Sequence, residues 1–288
     1  VPNIILYALL YILLICLPCH AADVLIIADA RLKPVMEVTL GMRKTLHAST
    51  RTYAPGEVHG NLAAILQKEE ARVVVALGRE ALAEALTLPP SIPVIYDMVV
   101  TPPAFTRSNT VGFYMATPVA EYAELVRNQL PGLKRMAVVA SRAFLNLLAG
   151  DVSVPFGSYP VKNTVEFVST LKQLDNADAI LLLPDSGIMT MTAMEEAYLL
   201  SFRRRIPLLG ISERHVKEGA LLALVVDMVD VGRVVGEYAT RALNSGSLGQ
   251  QQVFPSRKFD LYLNMGTARK MRLNIPDEVV RMARKVYP

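Results

Sequence analysis

The chain is poor in the residues on which most recognisable chemistry depends. Only two cysteines occur, Cys16 and Cys19, and both lie in the apolar leader. Their C-x-x-C spacing has no second pair and no strand-helix context, so neither a redox motif nor a zinc site is expected there. Four histidines are present, His20, His47, His59 and His215, and no gap between them is a metal-ligand spacing. No metal or cofactor is expected. There is no G-x-G-x-x-G after a strand, no phosphate loop, no H-E-x-x-H and no G-x-S-x-G. Charge of one sign is lacking too: 30 Lys and Arg stand against 26 Asp and Glu, a balance of +4. The densest basic run, Arg203-Arg204-Arg205, has no aromatics interleaved and falls at a helix end, where cations are favoured by the dipole. It reads as a solvated face, and no nucleic-acid partner is expected. No internal repeat or low-complexity tract appears.

What is present begins with a leader. Ile4 to Leu17 is an unbroken apolar run, followed by Pro18-Cys19-His20-Ala21-Ala22. As a helix it would reach about 21 Å, short of a roughly 30 Å hydrocarbon core. Its length and small-residue exit predict a secretory signal peptide over residues 1–22, cut near Ala21. The alternatives are an uncleaved anchor and a buried helix. A periplasmic or otherwise extracytoplasmic protein is expected.

From Asp23 onward, short apolar runs alternate with amphipathic segments, the pattern of doubly wound α/β architecture with parallel sheets. The clearest unit is Asp178 to Ser212. Ala179-Ile180-Leu181-Leu182-Leu183 has the continuous apolar character of a strand buried on both faces. Pro184-Asp185-Ser186-Gly187 turns the chain, Met189 to Arg204 reads as a helix, and Pro207 to Ile211 is the next strand. Earlier strands are predicted at Val24–Ala28, Arg51–Tyr53, Arg72–Leu77 and Pro93–Tyr96, with helices over Lys33–Ala48, Val58–Lys68 and Arg79–Leu86. A Pro, Thr and Ser-rich passage over 99–111 breaks the rhythm. A second block follows, with strands at 111–114, 135–140, 152–156 and 221–226. Helices are predicted over 119–130, 141–148, 161–174 and 231–243. Gly246 to Gln252 reads as a linker, and the tail supplies a strand near 260–263, a short helix after Asn264 and a helix over 276–285.

In such sheets ligands meet the loops at the carboxyl ends of the strands, where helix N-termini favour anions. Those positions are Asp29 and Arg31, Gly78 and Arg79, and Tyr96 and Asp97 in the first block. In the second they are Ser141 and Arg142, Asp185 and Ser186, and Ser212 and Glu213, with Asp227 closely following its apolar strand. Arg79 or Arg142 could grip a ligand carboxylate bidentately. Asp97, Asp185 or Asp227 could accept from an ammonium, and Tyr96, Phe113 and Tyr114 could line an apolar wall. Each also has a plain structural reading: acids and serines at helix starts are caps, exposed arginines are solvated, and the aromatics are core.

The segment Pro207 to Leu221 contains Val216-Lys217-Glu218-Gly219-Ala220-Leu221. It resembles the V-x-x-G-A-L portion of the ABC-transporter substrate-binding protein family related to tryptophan and tyrosine binders. The tail from Asp260 to Val280, with Leu261, Asn264, Ala268, Met271, Leu273, Ile275 and Pro276, resembles that family's closing pattern. Arg272 replaces its glycine. The resemblance implies a type 1 periplasmic binding fold with two Rossmann-like lobes and a ligand in the cleft between them. Lobe one would hold 23–111 with 228–252, and lobe two 112–227 with 253–288. The family's pocket aspartate falls on Asp185, its small polar residue near Gly78 and its T-D-P near Asp97. Its G-F-D-Y becomes Val225-Val226-Asp227-Met228, without the aromatics.

The function so implied is not enzymatic. It is the solute-binding component of an ABC import system, capturing a small polar organic ligand, an amino acid or related anion, for a membrane permease. The expected state is a monomer. The rivals are a sensor signalling to a membrane receptor and an α/β enzyme with an unrecognised site.

Overall fold

The computed structural model describes residues 22–100, 105–148, 156–250 and 252–288. The expected signal peptide, both cysteines and most of the strand expected at 152–156 lie outside the described residues. The strands are β1 (Val24–Ile27), β2 (Thr50–Tyr53), β3 (Val73–Leu77), β4 (Val94–Val99), β5 (Thr110–Tyr114), β6 (Met136–Ala140) and β7 (Phe156–Pro160). They continue with β8 (Ala179–Leu181), β9 (Leu208–Gly210), β10 (Leu222–Val226), β11 (Gln252–Pro255), β12 (Phe259–Asn264) and β13 (Lys285–Tyr287). They form a six-stranded sheet ordered β11-β5-β4-β3-β1-β2 and a seven-stranded sheet ordered β13-β12-β10-β9-β8-β6-β7. The chain divides into two compact units. Unit one takes the described residues within 1–97, 104–112 and 232–252, and unit two those within 98–103, 113–231 and 253–288. Among the described residues no helix is long and apolar enough to cross a membrane.

In unit one the central strands are apolar at every position because helices cover both faces of the sheet. Val24–Ile27 and Val73–Leu77 are buried throughout, and β1 pairs in parallel with both β2 and β3. The helix Lys33–Met42 has Pro34 in its first turn, where a missing N–H costs nothing. It lies against the late helix Met228–Ser245 at two glycines. A Cβ on Gly232 would stand 2.0 Å from the Val38 carbonyl oxygen, and one on Gly236 would stand 2.3 Å from Thr45 Oγ1. Backbone approaches backbone there, and Thr45 Oγ1 donates to the Arg233 carbonyl at 2.7 Å.

At the amino end of the same sheet, Arg107 is 7% exposed. It donates to the carbonyls of Ile92 (2.7 Å) and Pro89 (2.8 Å) and to Thr110 Oγ1 (2.6 Å). Longer contacts reach Leu88, Ser108 and Asn109. None of these acceptors is a carboxylate, and burial alone pulls the guanidinium below its ordinary value. Asn109, in the left-handed region at φ 57°, joins the knot. Its side chain accepts from Leu248 N–H at 2.6 Å and its own N–H donates to the Gly249 carbonyl at 2.7 Å.

In unit two, alternation along the strands sends side chains to opposite faces. Val138, Leu181 and Leu209 join one core with Val119, Tyr122 and Leu222. Ala137, Val139, Ile180 and Leu182 join the other with Phe167, Ala193 and Ala197. Tyr122, fully buried on helix Val119–Gln129, accepts from Leu224 N–H at 3.1 Å and donates to the Gly210 carbonyl at 2.6 Å. Burial pushes its phenol upward, and the hydroxyl staples that helix to β9 and β10.

One feature departs from the expected all-parallel sheets. β12 pairs antiparallel with β10, with Val226 opposite Phe259 and Leu222 opposite Leu263. The chain leaves β10 at its carboxyl end and returns there, where Asp227 N–H donates to the Lys258 carbonyl at 3.1 Å. A strand that starts where its neighbour stops must run the other way. The expected single helix over Val58–Lys68 is two pieces, Pro55–Val58 and Leu62–Lys68, interrupted at Gly60 with φ 70°. The tail helix stops at Met282, and Lys285–Tyr287 becomes β13, parallel to β12.

Candidate functional site

The thirteen candidate residues lie in strands or within five residues after them, and their local partners differ sharply. β4 runs on to Val99, so Tyr96 and Asp97, expected at its exit, lie inside it. In unit one the chain leaves β1 through Asp29, whose carboxylate accepts from Arg31 Nε at 2.9 Å, Nη2 at 2.8 Å and the Arg31 N–H at 3.1 Å. These bonds from Arg31 hold the Asp29 carboxyl down to about 2. Arg31 itself projects into solvent, its side chain 89% exposed. Beyond β3, Gly78 has φ 105° and precedes helix Arg79–Ala85. A Cβ there would meet nothing within 4 Å, so its glycine answers a backbone requirement rather than crowding. Gly78 N–H donates to the Asp97 carbonyl at 2.9 Å, which ties the exit of β3 to the interior of β4. Arg79 is exposed, whereas Asp97 is 1% exposed.

The aromatic candidates are core residues. Tyr96 is fully buried, edge-on to Phe105 at 6.0 Å. Its ring fills the space that a Cβ on Gly112 would need, 1.9 Å from Tyr96 Cζ. The hydroxyl has no hydrogen-bond partner among the described residues, and burial pushes it up to about 12. Tyr114 belongs to the unit-two core, and Phe113 stacks on Phe254 at 6.0 Å. Instead of lining an apolar wall, these rings complete the packing of sheets covered on both faces.

In unit two Asp185, 6% exposed, follows β8. Its Oδ2 accepts from Ser141 N–H at 3.0 Å, bridging the exits of β6 and β8. Its own carbonyl accepts from Ile188 and Met189 N–H groups, closing the turn that leads to helix Met191–Arg204. Ser186 and Arg142 are exposed. Ser212 caps helix Glu213–Glu218 through its contact with His215 N–H at 3.3 Å. Asp227 caps helix Met228–Ser245, its Oδ1 accepting from Val229 and Asp230 N–H at 3.0 and 3.1 Å. Lys258 Nζ pairs with its other oxygen at 3.1 Å. Partial burial works to raise the Asp227 carboxyl, but the Asp230 N–H, Lys258 and the Val229 N–H outweigh it and hold it below its ordinary value.

Lys258 was not anticipated, since a lysine in a polar tail carries no signal of its partner 31 positions earlier. Among the described residues no group of three or more His, Cys, Asp or Glu is placed to hold a metal. The strand-exit groups are hydrogen-bond donors, acceptors and fixed charges, suited to holding a small polar molecule.

The family model described as "ABC transporter substrate binding protein" matches residues 55–287. The chain belongs to that family. Membership places this ABC substrate-binding family protein among non-catalytic ligand-binding proteins on a solute-binding fold of periplasmic or extracytoplasmic type. Its two α/β lobes with mixed sheets match the type 1 periplasmic binding architecture. The solved structures agree on the fold. A ligand-free, open substrate-binding protein with adhesive properties from Clostridium difficile is similar at TM-score 0.68 and 15% identity, covering 92% of this chain and 99% of its own. A conserved domain protein from Vibrio cholerae O1 biovar El Tor is similar at 0.57 and 20%, covering 92% and 99%. The ABC domain from Streptococcus pneumoniae, crystallised with L-Trp, is similar at 0.53 and 16%, covering 91% and 99%. No curated protein matches the chain.

Proposed function

We propose that this family member is the extracytoplasmic solute-binding component of an ABC import system. It captures a small polar organic ligand, an amino acid or related anion, and presents it to a membrane permease. It would be exported by its leader and act as a monomer. The supporting observation is the family match over 55–287, which includes Asp185, a buried carboxylate following β8, in a sequence without a recognised catalytic motif. In this reading Asp185, with Ser141, Arg142, Ser186, Ser212 and Asp227 around the other exits of unit two, supplies acceptors and donors for the ligand's ammonium and polar groups. Asp29, Arg31, Gly78, Arg79 and Asp97 do the same in unit one. The exposed Arg31 is the group best able to exchange its Asp29 partner for a ligand carboxylate, because a solvated pair holds it weakly. The L-Trp complex of the Streptococcus pneumoniae protein puts amino acids first in the panel to be tested.

The test is calorimetry and thermal shift on the purified protein against amino acids and organic anions. A saturable response to one class is expected. Asp185→Asn should weaken it about tenfold or more, the worth of one charge-assisted hydrogen bond. No saturable response to any class would refute the reading.

A further inference from the structure

A groove of about 870 Å³ opens in unit two between the start of helix Met191–Arg204 and helix Glu213–Glu218, and none of the strand-exit candidates lines it. Three of its lining residues are Met189, Met191 and Met194, an M-x-M-x-x-M run. Packing does not account for all of them. Met191 is 74% exposed, whereas Met194 is 9% exposed. Positions 191 and 194 lie three apart on one helical face, where side chains are neighbours, and Met189, in the turn before the helix, lines the same groove.

Thioether sulfurs are neutral, polarisable donors that select soft cations over calcium, magnesium or zinc. They need no deprotonation to bind. His215 lines the same groove, but its Nδ1 faces the Ile211 N–H at 3.3 Å. Accepting there puts the ring proton on Nε2, so the imidazole has no free lone pair to offer. Burial lowers its basicity and keeps it neutral. Across the groove Arg214 is held by Glu218 at 2.6 Å, which leaves Glu195 as the carboxylate that balances a bound positive charge.

We propose that Met189, Met191 and Met194 form a thioether site for a soft monovalent cation of the copper(I) and silver(I) class. The site is separate from the strand exits and does not depend on the identity of the organic ligand.

The test is silver nitrate titration by calorimetry in chloride-free buffer, paired with copper(I) competition against bicinchoninate under ascorbate, on the full chain. One equivalent should bind with a dissociation constant on the order of micromolar. The triple substitution Met189→Leu, Met191→Leu and Met194→Leu conserves volume, so its circular dichroism and melting should stay close to the parent's. Its affinity should fall at least about tenfold. Because thioethers do not titrate, parent affinity should be flat between about pH 6 and 8, whereas a histidine-borne site would weaken as pH falls through about 6.5. Absence of binding, full retention by the triple variant, or a histidine-like pH profile would each overturn the proposal.

Discussion

Arg107 offers the sharpest test of how unit one is held together. Replacing it with Met keeps the aliphatic bulk and removes the guanidinium, so the short bonds to Ile92, Pro89 and Thr110 vanish while their acceptors stay buried or half-buried. Each such bond from a charged donor is worth about 1.5–3 kcal/mol. The cation was itself buried without a carboxylate, and removing it refunds part of that desolvation. Three bonds at the lower figure give about 4.5 kcal/mol, and allowing about 1.5 kcal/mol for the regained desolvation leaves a net loss of about 3 kcal/mol. At roughly 4–8 °C per kcal/mol for a unit of about 100 residues, calorimetry should show a melting transition lowered by about 12–24 °C. Arg107→Lys supplies the charge but a single nitrogen, which cannot span acceptors on three segments, so it should recover less than half of the loss. If Arg107→Met melts within about 1 °C of the parent, or if lysine restores it fully, the knot contributes nothing through its fork geometry and the reasoning fails.

Other outcomes follow from the same contacts. Tyr96→Phe deletes a buried hydroxyl that has no partner among the described residues, so urea unfolding should show stability unchanged or raised by up to about 1 kcal/mol. Tyr122→Phe strands the Leu224 N–H and the Gly210 carbonyl in the core and should cost about 1–3 kcal/mol in the same assay. Asp227 has its folded-state carboxyl below the ordinary 3.8. Its contribution is therefore complete above that value and is lost as pH falls through the lower folded one. Asp227→Ala should cost about 1–2 kcal/mol at neutral pH, and the gap between variant and parent should close in unfolding curves recorded below about pH 4.

Much of the strand and helix order is legible in the chain because both sheets are covered on both faces. Val24–Ile27, Val73–Leu77 and Ala179–Leu181 are apolar at every position, with Gly78 closing the second run and Pro184 following the third. The same coverage hides which aromatics point where. In a strand buried on both sides Tyr96 and Tyr114 show no alternation, so nothing local distinguishes a core ring from one facing a ligand. The sense of β12 was unreadable because it depends on where the chain re-enters, not on its own residues. β13 was missed because Lys285-Val286-Tyr287 is short and largely exposed at a sheet edge. Arg107 gave no warning either. An arginine among Pro, Thr and Ser reads as solvated until the carbonyls of residues 89 and 92 are brought around it. At the strand exits, residue types were visible but their local partners were not: Asp227 as a cap with Lys258 beside it could be seen only in three dimensions.

The return of the chain late in its length also bears on biogenesis. Asn109 waits for Leu248 and Gly249, Val38 and Thr45 wait for the helix that carries Gly232 and Gly236, and β10 waits for β12. During synthesis neither unit can finish folding until most of the polypeptide has emerged, so a nascent chain halted before residue 232 would hold two unfinished sheets. A stop codon anywhere from residue 217 to residue 252 therefore removes parts of both units at once, whereas one after residue 252 shortens unit two alone.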